Sequence, residues 1–417
     1  MNKKILIVCD KFVPQFAPRM GNLAMNLKQA GWGVYVVCGK DITTRADMDV
    51  FVGYPDEVHV IEQKPHRFWN PLHILTMFWP YDYLRNEYEI KRIGIELTRR
   101  HKFDLVLVSR AFGMFPSVTG LEIARQANLP CVIDIRDVFA QGPNLPIWRL
   151  PLREKVTRIM RCFSYNEQVR HFDCWRKATA LTTVSPWNVN YLKHYNTKTY
   201  CIYNGYDPGI FKPNPPEKSE MFTIVYTGTF GDRNLRDYSL LFEAIQQLAA
   251  EKIISPKNFK IEFYSGKNYD AEVNAWIERL KIRDFIQFKD FVPTSTLPAI
   301  FQRASVLLLL ANKPSKYGPW GVMTTKVYEY FASNRPVLLV RSDEDCLEAA
   351  IKEANAGYAG RNVDGTYCFL KEKITEWKEK GFTAGTTNQE IIKKYSRKVQ
   401  AEQFIKVFEE VSRHEKV

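Results

Sequence analysis

The chain reads as an α/β protein built from two doubly wound, Rossmann-like domains of parallel sheet. Three observations predict this: short β-branched runs recur along the chain, helical patterns lie between many of them, and a proline-rich break near the midpoint is followed by a second series. Strands that alternate with helices form right-handed βαβ units, whose sheet is covered on both faces.

In the first half the strand-like runs fall at residues 5–8, 34–38, 105–108, 131–134 and 181–184. Residues 207–220 then carry Pro208, Pro213, Pro215 and Pro216, which break helix and strand alike. Beyond them, runs at 223–226, 261–264, 306–310 and 337–340 alternate with helical patterns near 238–251, 272–280 and 327–333. The expected organisation is a first domain at 1–207, a linker at 208–221, a second domain at 222–390 and a terminal helix at 391–417. Val399, Phe404, Val407 and Val411 give that helix one apolar stripe, expected to pack back toward the first domain. Two such domains facing each other would gather the carboxyl ends of both sheets around a central cleft, where open parallel sheets bind ligands.

At 417 residues and 45% hydrophobic content the chain can bury a large core without staples. Its eight cysteines include no C-x-x-C pair, and Cys9, Cys38, Cys131 and Cys201 sit in strand-like runs as reduced core residues. The opening apolar run is too short for a signal sequence, and the longest, at 306–311, is far below the roughly 20 residues that span a bilayer. The expectation is a cytoplasmic protein whose membrane contact, if any, is peripheral. An excess of 59 Lys and Arg over 46 Asp and Glu, a formal charge of +13, favours anionic partners without choosing among them.

Five motifs carry candidate chemistry. The loop after the first strand, from Asp10 through Arg19 to Gly21, precedes a helical pattern at 23–30. It is either a phosphate-approaching loop at a helix start or a plain strand-to-helix connection. VIDIRD ends a strand with Arg136 and Asp137, which either contact substrate or neutralise each other. Asn204-Gly205 reads as a tight turn. YTGTFGDR follows a strand with Gly228, Thr229 and Arg233, the arginine being either a diphosphate contact or an exposed helix-start cation. In KVYEYFASNRPV, Lys326 and Glu329 share one helical face. They could meet a phosphate and ribose hydroxyls, or simply pair with each other.

Taken in order, the FVPQFAPRMGNLA loop, VIDIRD, LTTVSPWNVNYL, IYNGYDPGIFKP, YTGTFGDR and KVYEYFASNRPVL resemble the GT-B glycosyltransferases along nearly the whole chain. The likeness is to the large retaining family 4, which includes capsular and lipopolysaccharide sugar transferases. That resemblance implies transfer of a sugar from a nucleotide-sugar donor to a glycan or polyprenyl-linked glycan acceptor in cell-surface polysaccharide synthesis. It implies that Glu329 holds the donor ribose and that Gly21, Gly228, Thr229, Arg233 and Lys326 lie about the donor. Arg19, Arg136 and Asp137 would then meet the acceptor, with Asp137, Arg233 and Lys326 as the catalytic groups. No cofactor and no metal are expected, since cations and helix N-termini neutralise the leaving group. The family's additional acidic residue, eight positions before the ribose-binding one, is replaced here by Gly321.

Residues 64–92 concentrate aromatic, apolar and basic side chains, including Trp69, Phe78 and Trp79, and a second basic run spans 149–177. They read either as a surface for the anionic inner face of the cell membrane or as domain packing. Other readings of the chain are an epimerase on the same fold and a non-catalytic nucleotide-sugar or glycan-binding subunit. Nucleic acid is suggested by charge alone and is not an expected partner. An oxidoreductase is disfavoured, because no G-x-G-x-x-G follows any strand.

Overall fold

A computed structural model describes residues 3–40, 46–62, 81–110, 116–138, 148, 152, 155, 172–230, 236–266, 271–316 and 318–414. The chain forms two compact units, Met1–Tyr203 together with Arg397–Val417, and Asn204–Ser396.

The first unit holds a seven-stranded parallel sheet: β1 (Lys4–Cys9), β2 (Gly33–Gly39), β3 (Glu57–Ile61), β4 (Leu105–Arg110), β5 (Cys131–Ile135), β6 (Ala180–Thr183) and β7 (Thr199–Cys201). The spatial order is β3-β2-β1-β4-β5-β6-β7. Its helices are α1 (Pro18–Gln29), α2 (Tyr81–Arg100), α3 (Ser117–Gln126) and α4 (Pro186–Leu192). Side chains alternate across a strand, so β1 serves two cores at once. Ile5, Ile7 and Cys9 join Leu23 and Leu27 of α1 on one face. Leu6 and Val8 join Ile90 and Leu97 of α2 and Ile123 of α3 on the other. Each fully buried branched side chain of this kind contributes roughly 2 kcal/mol.

The Asn204–Ser396 unit repeats the plan with six parallel strands: β8 (Phe222–Thr227), β9 (Phe259–Tyr264), β10 (Ile286–Lys289), β11 (Val306–Leu310), β12 (Val337–Val340) and β13 (Gly357–Gly360). They run in the order β10-β9-β8-β11-β12-β13. Helices α5 (Ser239–Ala250), α6 (Ala271–Arg279), α7 (Leu297–Gln302), α8 (Lys326–Ser333), α9 (Cys346–Glu353), α10 (Val363–Lys380) and α11 (Gln389–Ile392) cover it. Helix α8 forms because Val327, Tyr328, Tyr330 and Phe331 give it one buried face, and it stops at Asn334, whose φ of 51° is left-handed. The last helix, α12 (Arg397–His414), returns to the first unit, where Phe404 and Phe408 close the core beneath α1.

Two local expectations are corrected. Helix α1 starts at Pro18, a favoured first-turn position for proline, and so includes Gly21. Gly205 is not the positive-φ turn that Asn-Gly suggests. A Cβ there would lie 2.2 Å from the Tyr395 carbonyl oxygen. Tyr206 donates to that same carbonyl at 3.0 Å and bridges Ser396. Glycine is needed so that two backbone segments of the unit can touch.

Among the described residues no helix is long and apolar enough to cross a membrane. Residues 63–80, with Trp69, Phe78 and Trp79, and most of 149–171 lie outside the described residues.

Candidate functional site

In each sheet the strand order reverses at one place, between β1 and β4 and between β8 and β11. The connections from these strands leave in opposite directions, opening a crevice at their carboxyl ends.

In the Asn204–Ser396 unit that crevice is a cavity of about 110 Å³, lined among others by Tyr226, Arg236, Asn312, Gly321, Lys326 and Asp343. Lys326 opens α8, and its Nζ donates to the Tyr226 hydroxyl at 3.4 Å while sitting 4.7 Å from the centre of that ring. Gly228 follows β8 with a φ of 116°, directly under the ammonium. Burial, aided by the charge of Arg236 and opposed by that of Glu329, lowers the Lys326 pKa to about 7. A cation at the positive end of a helix, beside a second cation, is poorly placed unless an anion joins it. Glu329, half-buried in the first turn of α8, stands outside the lining of this cavity.

Thr229 acts as a strut. Its carbonyl accepts from the Tyr226 hydroxyl at 2.7 Å and from Arg236, and its Oγ1 accepts from Arg236 Nη1 at 2.9 Å. It therefore holds Arg236 at the cavity. Arg233 lies outside the described residues, and among those described Arg236, three positions on, is the arginine that lines the cavity. Nothing local in TGTFGDRNLRD distinguishes the two.

Gly321, with a φ of 59°, lines the cavity without a side chain, and its N–H donates to Asp345 Oδ2 at 3.0 Å. Asp343 supplies the carboxylate among the described lining residues. Burial pushes its pKa up, and backbone N–H bonds from Leu347, Glu348 and Asp345 pull it back.

In the first unit, the ends of β1, β4 and β5 bring together Asp10, Arg110, Arg136 and Asp137. Arg136 Nη2 meets Asp10 Oδ1 at 3.3 Å, and its Nε donates to the Arg110 carbonyl at 3.0 Å. Arg110 Nη2 donates to the Asp137 carbonyl at 3.3 Å, and its guanidinium lies 5.7 Å from the Trp175 ring centre. Asp137 itself is exposed. Dense surroundings push its carboxyl pKa up, and Arg136 and Arg110 pull the other way.

Two residues read as ligand contacts turn inward. Arg19 is 1% exposed, and grips Asp134 through Nε at 3.0 Å and Nη2 at 2.8 Å while donating to the carbonyls of Ile202 and Tyr203. Its donors are engaged inside the fold, so it presents no face to an acceptor. Gly21 gives its N–H to the Ala17 carbonyl, and a Cβ there would press on Val13 and Phe51 at 2.9 and 3.0 Å. It serves helix packing, and no phosphate can take its N–H.

Sequence reasoning missed Asp10, Arg110, Asp134 and Asp343. The partners of Asp10, Arg110 and Asp134 are far away in the chain, while Asp343 is held by backbone N–H groups two to five residues on, which no side-chain motif marks. Among the described residues no group of three or more His, Cys, Asp or Glu side chains is arranged to hold a metal ion.

No protein-family model matches the chain, and no curated protein matches it in sequence. Solved structures do. The chain is similar to a glycosyltransferase from Rickettsia africae ESF-5, with 15% identity, a TM-score of 0.62 and 98% of each chain covered. It is similar to sucrose-phosphate synthase from Thermosynechococcus elongatus, with 13% identity and a TM-score of 0.61 over 98% of this chain and 99% of that one. It is similar also to Anabaena HepE in complex with UDP-glucose, with 14% identity, a TM-score of 0.61 and the same coverage. The fold is GT-B. At 13–15% identity the fold is what these proteins share with this chain.

Proposed function

We propose that the protein is a glycosyltransferase, taking a nucleotide-sugar donor in the Asn204–Ser396 unit and a glycan or polyprenyl-linked glycan acceptor at the first unit. The observation that carries this reading is the cavity at the β8/β11 reversal, where Lys326 and Arg236 meet at the start of α8. Two cations and a helix N-terminus match the diphosphate of a leaving nucleotide. HepE, of the same fold, is described with UDP-glucose bound.

In this reading Glu329 accepts bonds from the two ribose hydroxyls, and Lys326 and Arg236 neutralise the charge that builds on the diphosphate. The acceptor hydroxyl attacks the anomeric carbon from the side on which the diphosphate departs. The new C–O bond forms as the old one breaks, and the hydroxyl proton passes to a phosphate oxygen of the leaving group. The configuration is retained, and no metal is needed because the two cations do its work. Arg136 and Asp137 orient the acceptor. The net charge of +13 supports work beside an anionic membrane, on the path to a capsule or lipopolysaccharide.

The test is product analysis with a panel of nucleotide sugars and a cell-envelope glycolipid extract. Glycosylated acceptor together with free nucleoside diphosphate supports the proposal. An altered donor sugar formed without acceptor would indicate an epimerase, and donor binding without turnover would indicate a binding subunit.

A further inference from the structure

The cavity beside Lys326 also has lining residues that cannot serve a phosphate. Besides the two cations, its described lining is largely apolar, with Leu309, Leu310, Pro314, Pro319, Val322 and Leu347, and includes a single carboxylate, that of Asp343. A carboxylate facing a diphosphate would repel it. A polyol entering the same space needs an acceptor for its hydroxyls, and a fixed carboxylate is the strongest one a side chain offers.

Asp343 is fixed. Its Oδ2 accepts from the Leu347 N–H at 2.8 Å, and its Oδ1 accepts from Glu348 at 2.9 Å and from Asp345 at 3.2 Å. A carboxylate has about four acceptor positions, so three bonds leave one for a ligand. Asp343 is 6% exposed. Two residues on, Asp345 accepts the N–H of Gly321, another lining residue, at 3.0 Å, tying the two cavity-lining loops together. The acceptor therefore stands on a braced loop, as discrimination between near-identical sugars requires.

We propose that Asp343 reads the sugar of the donor, its carboxylate accepting a hydrogen bond from one ring hydroxyl. This rests on the donor-site reading above and adds to it a residue that sets which sugar is used. A carboxylate rewards a hydroxyl at one position, and a sugar lacking it leaves a buried acceptor unpaired, which is the strongest form of discrimination a polar pocket provides.

The experiment measures the affinity of the full-length protein for a free nucleoside diphosphate, for the matching nucleotide sugar and for its singly deoxygenated analogues, in wild type and in Asp343→Asn. The proposal predicts that one deoxy analogue binds wild type about tenfold or more weakly than the parent sugar. In Asp343→Asn that difference vanishes, while affinity for the free diphosphate stays within about twofold. A residue that only caps α9 would lower the melting temperature and leave the deoxy difference intact, which overturns the inference. The analogue series on wild type stands even if the variant fails to fold: equal affinity for every analogue overturns the inference as well. Absence of binding by the free diphosphate would instead overturn the donor-site reading itself.

Discussion

A Cβ on Gly228 would lie 2.3 Å from the Lys326 ammonium, so the lysine holds its place at the cavity because residue 228 has no side chain. The backbone there has a φ of 116°, which side-chain-bearing residues rarely adopt. Gly228→Ala should fold, since the flexible end of Lys326 can swing aside, with a stability loss of about 1–2 kcal/mol. The displaced ammonium should weaken nucleoside diphosphate binding by about tenfold or more. Thermal unfolding and calorimetry on the same variant separate the two effects.

Lys326 should make donor binding depend on pH. In the free protein burial holds its pKa at about 7, with Arg236 lowering it and Glu329 raising it. A bound diphosphate restores the charge and raises that value, so above pH 7 each binding event takes up a proton. Affinity should fall as pH climbs from 7, by up to about tenfold per unit. The same group acts on stability with a definite sign. Its folded pKa lies below the unfolded value of about 10.4, so the cost of burying it is full below pH 7 and fades toward pH 10. Calorimetry in buffers of different ionisation enthalpy counts the proton, and Lys326→Arg, always charged, should lose both proton uptake and the pH slope.

Arg19 and Asp134 form a clamp inside the first unit, with side chains 2% and 0% exposed. Burial pushes the Asp134 pKa up, and Arg19 more than reverses this, leaving it below the ordinary range. Arg19→Met strands a buried carboxylate and should cost about 3–5 kcal/mol at neutral pH, read from the urea midpoint. The unpaired Asp134 would then have a raised pKa, so the deficit should shrink as pH falls from 7 toward 4.

Asp137 tests the acceptor side. Asp137→Asn keeps the size of an exposed side chain and should leave nucleoside diphosphate affinity unchanged. If Asp137 orients the acceptor hydroxyl, turnover falls by about a hundredfold. Initial rates at saturating donor check it.

The interior of both sheets was plain in the sequence, because β1, β4, β5, β8, β11 and β12 are apolar runs buried on both faces. The edge strands were not. Glu57–Ile61 alternates half-buried and exposed residues, Ile286–Lys289 mixes Gln and Lys into four positions, and Gly357–Gly360 is half glycine. The helix carrying Lys326 and Glu329 was legible because spacing alone sets its face. The clamp of Arg19 was hidden, since its partner is 115 positions away. Gly21 was misplaced for a related reason: whether a glycine meets a ligand or the Phe51 ring depends on a segment thirty residues along the chain.

Thermal shift against UDP, GDP and dTDP and their sugars asks whether the cavity beside Lys326 and the nearby Glu329 hold a nucleotide. At a ligand concentration a hundred times the dissociation constant, one base should raise the melting temperature by about 5 °C in wild type. Glu329→Ala should lose most of that shift. No stabilisation of wild type by any nucleotide would mean that the cavity is not a nucleotide site, and full stabilisation of the variant would mean that Glu329 does not hold the ribose.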